Sequence, residues 1–166
     1  MSVWAKGHAQ LTHGRRLLSL SGPSSIKYLQ NLLTIDVEKI AAKSSASLST
    51  CLMLNNSGRI ITDSLLWKME RSPDSTEHEF VLDVPSDTAE ETLAHLETYK
   101  LRRTKINIKD ITDVCAVHGI YGVGEEAVAE AEGMGGILAK GDPRCKSLGV
   151  RVLSRKEVSC GFYFLI

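Results

Sequence analysis

Between two apolar runs, residues 54–66 read LNNSGRIITDSLL, and the flanks of this break constrain the fold more than any other stretch. Before it, Leu48, Thr50, Leu52 and Leu54 share one parity; after it, Ile61, Asp63, Leu65 and Trp67 share another. Strand side chains alternate between faces with a period of two, so these runs predict a β-hairpin over 48–54 and 59–68. Asn55, Asn56 and Gly58 are residue types that tolerate a left-handed backbone, and they account for the turn without any function. Two residues raise a further question. Arg59 begins the outgoing strand, and Asp63 sits on the apolar parity, where a half-buried carboxylate needs a partner such as Arg59 or Arg102. The commoner arrangement for such residues is a charged strand at a sheet margin, and both readings stand at this point.

Around the hairpin the pattern predicts a strand at 15–21, a helix at 24–33, a strand at 80–84, a helix at 87–100 and a strand at 104–111. Ser21-Gly22-Pro23 punctuates the first transition, after which Ile26, Leu29, Leu32 and Leu33 form one helical stripe. Ser86 is placed to cap the second helix. Asp87, Glu90 and Glu91 suit the positive end of its dipole, and Ala89, Leu93, Leu96 and Tyr99 form its expected buried stripe. Residues 71–79 read as a polar loop. Helices mixed with hairpin-connected strands indicate an α+β fold with a mixed, largely antiparallel sheet and helices packed on it. The expected division is a domain over 1–111 and a partial second unit over 112–166, reading strand (114–121), helix (125–132), strand (136–140) and strand (148–153).

The 166 residues are enough for a sizeable core, and 43% hydrophobic with 24% charged residues is ordinary for a globular protein. With 20 basic and 20 acidic residues there is no global field to attract nucleic acid or an anionic membrane. No apolar run is long enough for a membrane span. Cys51, Cys115, Cys145 and Cys160 contain no C-x-x-C pair, and neither they nor His8 and His13 have the spacing of a zinc site, so no metal ligand is expected. Gly122-Val123-Gly124-Glu125-Glu126-Ala127, with Asp142 further on, matches the dinucleotide-binding pattern G-x-G-x-x-A. Glu125 and Glu126 would stand beside the pyrophosphate and repel it, so the glycines read better as a turn.

Five stretches in order, SGPSSIKYLQNLLTIDV, LNNSGRIITDSLL, FVLDV, HLETYKLRRTKINI and GDPRCKSLGVRVL, resemble the YgfZ-type branch of the aminomethyltransferase (glycine-cleavage T-protein) superfamily, and within it the mitochondrial iron-sulfur cluster assembly factors. The resemblance implies an N-x-x-G-R turn at Asn55, Gly58 and Arg59, followed by Asp63. It also implies an L-T-N-D-V segment at Leu33, Thr34, Asp36 and Val37, with Ile35 where the family has asparagine. Lys100, Arg102 and Arg103 match the basic end of a Y-K-L-R segment. By family motif, Thr34, Asp36, Asn55, Gly58, Arg59, Asp63, Lys100 and Arg102 are the ligand- or partner-surface candidates, and no catalytic residue is assigned.

The family's K-G-C-Y-x-G-Q-E motif has no match; Cys160 lies in CGFYFLI, without the flanking residues. The resemblance therefore implies the N-terminal half of a longer protein, a truncated form or a partial record. In the mitochondrial matrix such a protein works with A-type iron-sulfur carrier proteins in the maturation of four-iron clusters. The iron-sulfur cluster is then shared with a partner and no cofactor resides in this chain. The alternative implied by ancestry is folate-dependent one-carbon transfer, with tetrahydrofolate as cofactor and Asp36 and Asp63 as candidate carboxylates. A nucleic-acid surface around residues 100–105 is the weakest reading, because aromatic interleaving is lacking.

Overall fold

The computed structural model describes residues 7–69, 77–124, 126–132 and 137–156. In chain order, β1 (His8–Gln10) and a 3-10 turn (Thr12–Gly14) precede β2 (Arg15–Ser21), α1 (Ser25–Gln30) and α2 (Val37–Ala41). The hairpin of β3 (Ser47–Leu54) and β4 (Ile60–Lys68) follows, then β5 (Glu79–Pro85), α3 (Ala89–Tyr99) and β6 (Asn107–Asp110). β7 (Cys115–Ile120), α4 (Glu126–Glu132), β8 (Ile137–Gly141), a 3-10 turn (Lys146–Leu148) and β9 (Val150–Arg155) complete the described chain. The architecture is α+β. Most of the 71–79 loop and the CGFYFLI stretch lie outside the described residues, and no described helix is long and apolar enough to cross a membrane.

One unit comprises Arg16–Asp110. Its sheet runs β3-β4-β5-β2-β6, with antiparallel pairing of β3 to β4, β4 to β5 and β2 to β6. Register places Met53 opposite Thr62, Cys51 opposite Ser64 and Leu66 opposite Leu82, so these residues share a face. That face buries Leu18, Leu20, Met53, Leu66, Phe80 and Leu82 together with Leu29 of α1, Val37 of α2 and Leu96 of α3. Each large apolar side chain so buried contributes about 1.5–3 kcal/mol.

The face expected from alternation is reversed. Cys51 and Met53 point into this core, Thr50 and Asp63 are exposed, and Leu48, Leu52 and Leu54 are half-buried. Further along β4, Leu65 and Trp67 are as buried as Leu66, so the strand is covered on both faces and its parity carries no sidedness. A β-bulge adds to the confusion: Met53 pairs with Thr62 but Leu54 with Ile60, leaving Ile60 62% exposed at the margin.

The first helix also departs from expectation. It stops at Gln30, and Leu32 and Leu33 are buried from a turn instead of a helical face. A second short helix, absent from the sequence reading, starts at Asp36, whose Oδ1 accepts the Lys39 N–H at 2.9 Å. The Gln30 side-chain carbonyl takes the Val37 and Glu38 N–H groups at 2.7 and 3.1 Å, satisfying two further donors of that helix start. Lys68, at the end of β4, is 1% exposed, and its ammonium donates to the carbonyls of Lys43 and Ser45 just beyond α2. In α3 the position before the helix is Thr88, not Ser86. Ala89, Thr92 and Leu96 are its buried residues, while Tyr99 is 39% exposed.

The other unit takes the described residues up to Arg15 and from Ile111 onward. Its sheet runs β1-β7-β9-β8, antiparallel throughout, over a small core of Ile120, Ala127, Ala131, Ala139, Val150 and Val152. The division after Asp110 lies one residue from the expected one. The N-terminal strand, however, belongs to this unit: Ala9 pairs with Gly119 of β7.

Candidate functional site

The hairpin turn is held by Asn55. Its side-chain carbonyl accepts the Ser57 and Arg59 N–H groups, both at 2.9 Å, while its backbone N–H donates to the Arg59 carbonyl at 2.9 Å. Gly58 adopts φ +75°, and nothing lies within 4 Å of where a Cβ would stand, so conformation and not space requires glycine there. Asn55 and Gly58 are therefore turn-makers. Arg59 and Asp63 are exposed, and neither side chain has a hydrogen bond or ion pair among the described residues. The inward, Arg-paired Asp63 is thus excluded in favour of the sheet-margin reading.

Beside the hairpin lies the Leu33–Asp36 segment. Leu33 bridges to Met53; the Thr34 N–H donates to the Leu52 carbonyl, and the Leu52 N–H donates to Thr34 Oγ1, each at 3.0 Å. Leu52 in turn stands opposite Asp63 across the hairpin. Thr34, Leu52 and Asp63 therefore follow one another across the sheet edge. Asp36 is committed to capping α2, and Ile35 packs half-buried against the core. At Ile35 an amide of the family pattern is replaced by apolar contact.

Lys100 and Arg102 belong elsewhere. Thr88, where α3 begins, meets Thr62 of β4 hydroxyl to hydroxyl at 2.8 Å. Eleven helical residues then carry the chain about 16 Å from that contact. There Lys100 pairs with Glu97 at 3.6 Å, and Arg102 is exposed. The structure brings Thr34, Asn55, Gly58, Arg59 and Asp63 together and leaves the basic end of α3 as a separate surface.

A constellation the sequence reading missed sits in the four-stranded unit. The Asp142 carboxylate accepts Arg144 Nε at 2.9 Å, Arg144 Nη2 at 2.6 Å, the Arg144 backbone N–H at 3.1 Å and Arg151 Nη1 at 3.3 Å. Burial pushes this carboxyl up, but the hydrogen bonds from Arg144 and the charges of Arg144 and Arg151 outweigh it and hold Asp142 below the ordinary carboxylate range. Gly149 closes the loop at φ +76°; a Cβ there would meet the Ile120 carbonyl oxygen at 2.2 Å. The Asp-Pro-Arg order was the available signal, since an Asp two residues before an Arg in a turn can close on it.

Asp142 is thereby locked by arginines and not free to hold a ribose. Gly124 and Asp142 do line one hollow of about 620 Å³. Yet β9 lies between β7 and β8, antiparallel to both, whereas a dinucleotide-binding unit needs those two strands as parallel neighbours.

The described thiols differ sharply. Cys51 is buried, and desolvation, with Asp63 nearby, pushes it up to about 12. Cys145 is exposed and lowered by hydrogen bonds from the Ser147 hydroxyl and backbone. Cys115 is half-buried on β7. No three His, Cys, Asp or Glu side chains among the described residues converge to hold a metal ion. Cys160 lies outside them.

No family model matches the chain. Curated relatives do. The chain is 30% identical over 160 residues to the mitochondrial iron-sulfur cluster assembly factor IBA57 homolog of Neurospora crassa, covering 92% of this chain and 35% of that protein. The homolog of the same name in Dictyostelium discoideum is 30% identical over 164 residues, covering 84% of this chain and 39% of its own length. That of Pyricularia oryzae is 32% identical over 143 residues, with 84% and 34% covered. The chain thus spans little more than a third of the length of the curated relatives it matches, and all three are named as mitochondrial. Among solved structures, the glycine cleavage system aminomethyltransferase T from Bartonella henselae superposes with a TM-score of 0.68 at 15% identity, over 95% of this chain and 44% of that one. This likeness establishes the aminomethyltransferase fold.

Proposed function

Because the chain belongs to the family of the mitochondrial iron-sulfur cluster assembly factor IBA57 homologs and has the aminomethyltransferase fold, we propose that the protein acts in the mitochondrial matrix as a non-catalytic factor in the maturation of four-iron clusters, together with A-type cluster carriers. The observation that carries this reading is the 30% identity running through 92% of the chain to a relative of that name. A cluster in transit is cargo, held by thiolates that two proteins can share. The buried Cys51, raised to about 12, is a poor source of thiolate, whereas the exposed Cys145, lowered by its hydrogen bonds from Ser147, is the better candidate of the two to share with a partner. The test is a pull-down of a purified A-type carrier on the immobilised chain. Retention is expected; failure to retain a carrier that a full-length relative does retain removes this region from the interaction.

A second reading, folate-dependent one-carbon transfer, is favoured by the exposed Asp63, unpaired among the described residues and one strand from Thr34. Such chemistry needs an acid or base near the transferred carbon. Calorimetric titration with tetrahydrofolate decides it. Micromolar binding weakened by Asp63→Asn supports transfer chemistry, and an absence of binding heat eliminates it.

A further inference from the structure

We propose that the groove between α1 and the C-terminal end of α3 is a docking site for an acidic peptide segment of a protein partner, one that carries a large apolar side chain between its carboxylates. The groove measures about 760 Å³, room for several side chains. Its apolar lining comes from Tyr28, Leu32, Tyr99 and Leu101. Two of these are left open to solvent, Leu101 at 71% and Tyr99 at 39%, a cost the fold leaves uncovered. Tyr28 is fixed by its hydroxyl donating to the Leu96 carbonyl.

The far wall is equally fixed. Ser24 and Lys105 exchange hydrogen bonds at 3.2 Å, Ser24 N–H to the Lys105 carbonyl and Lys105 N–H to Ser24 Oγ, and the Thr104 N–H donates to the Leu101 carbonyl at 2.8 Å. The groove therefore exists before any ligand arrives, which lowers the ordering cost of binding.

Charge selects the occupant. Lys27 and Arg103 line the groove, and Arg102 and Lys105 flank it. All four are exposed, and none has an ion-pair partner among the described residues. Lys100 is already spent on Glu97. In a chain with 20 basic and 20 acidic residues this is a local surplus of cations around an apolar floor. Two arginine forks suit carboxylates, which they can grip through paired hydrogen bonds.

A single-stranded nucleic acid would need several open aromatic faces. Tyr99 is the exposed aromatic of this groove, and its ring already meets His95 at 4.6 Å. The aliphatic floor fits a leucine or phenylalanine of a peptide. This inference stands independently of the assembly-factor reading.

The experiment is a selection of random twelve-residue displayed peptides on the full 166-residue chain, followed by fluorescence anisotropy with the synthesised consensus. Enriched peptides are expected to be acidic with a central leucine or aromatic residue. Arg103→Glu, Leu101→Ser, and replacement of the peptide's Asp and Glu by Asn and Gln should each weaken binding at least tenfold. Lys39→Glu, exposed on α2, should leave it unchanged. The proposal is overturned if no acidic-apolar consensus emerges, if the consensus binds both groove variants as tightly as the native chain, or if a twelve-nucleotide poly(U) strand displaces the peptide at equal concentration.

Discussion

Asp63, on the strand that leaves the Asn55–Gly58 turn, and Asp142, in the loop closed by Gly149, both stand near arginines in sequence and near a glycine at almost the same φ, yet they differ in nearly every physical respect. Asp63 is exposed, and its carboxylate has no hydrogen bond among the described residues. Asp142 is 8% exposed and receives four hydrogen bonds from two arginines. The glycines diverge in the same way: Gly58 at φ +75° has open space around it, while Gly149 at φ +76° lies against the Ile120 carbonyl. An Asp-Arg pair near a glycine turn is thus a structural lock in one unit and a free surface in the other. What separates them is burial, not residue type.

Substitutions can break or sharpen this contrast. The largest effect is expected from Asp142→Ala, which removes the carboxylate that accepts from both Arg144 and Arg151, the latter only 4% exposed; breaking this buried ion pair from one side should cost about 4 kcal/mol in urea unfolding. The same site carries the pH dependence. A carboxyl held low in the folded state contributes stability above the ordinary aspartate value of about 3.9 and loses it as the pH falls through the folded value. The stability gap between the native chain and Asp142→Asn should therefore be full at neutral pH and shrink on acidification below about pH 4.

Gly149→Ala comes next, at about 3 kcal/mol, since strained φ and a clash with backbone act together. Gly58→Ala, with the strain and no clash, should cost about 1 kcal/mol by the same measurement. Asp63→Ala is the smallest, below about 0.5 kcal/mol, as expected of an exposed side chain with no partner to strand among the described residues. A loss of about 3 kcal/mol there would restore the inward, arginine-paired carboxylate and erase the contrast.

By itself the sequence determined the elements whose signals are local. The strand at 15–21, the hairpin about Asn55–Gly58 and the helix opened by Glu90 and Glu91 need only side-chain periodicity, turn residues and dipole, all of which act within a few positions. The five ordered stretches likewise carried the family, which identity to the assembly factors bears out. Tertiary structure alone decided the rest. Helix α2 is five residues long and exists because Gln30 and Asp36 satisfy its first N–H groups, so no periodicity could announce it. Which face of the hairpin meets the helices was equally hidden, because β4 buries Leu65 and Trp67 on one side and Leu66 on the other, and alternation says only that faces differ. Arg151 reaches Asp142 from β9, and Thr34 reaches Leu52 across eighteen positions of chain. Those partners depend on which strands lie side by side, and strand order follows from burying a shared core, a property of the whole chain that no short stretch encodes.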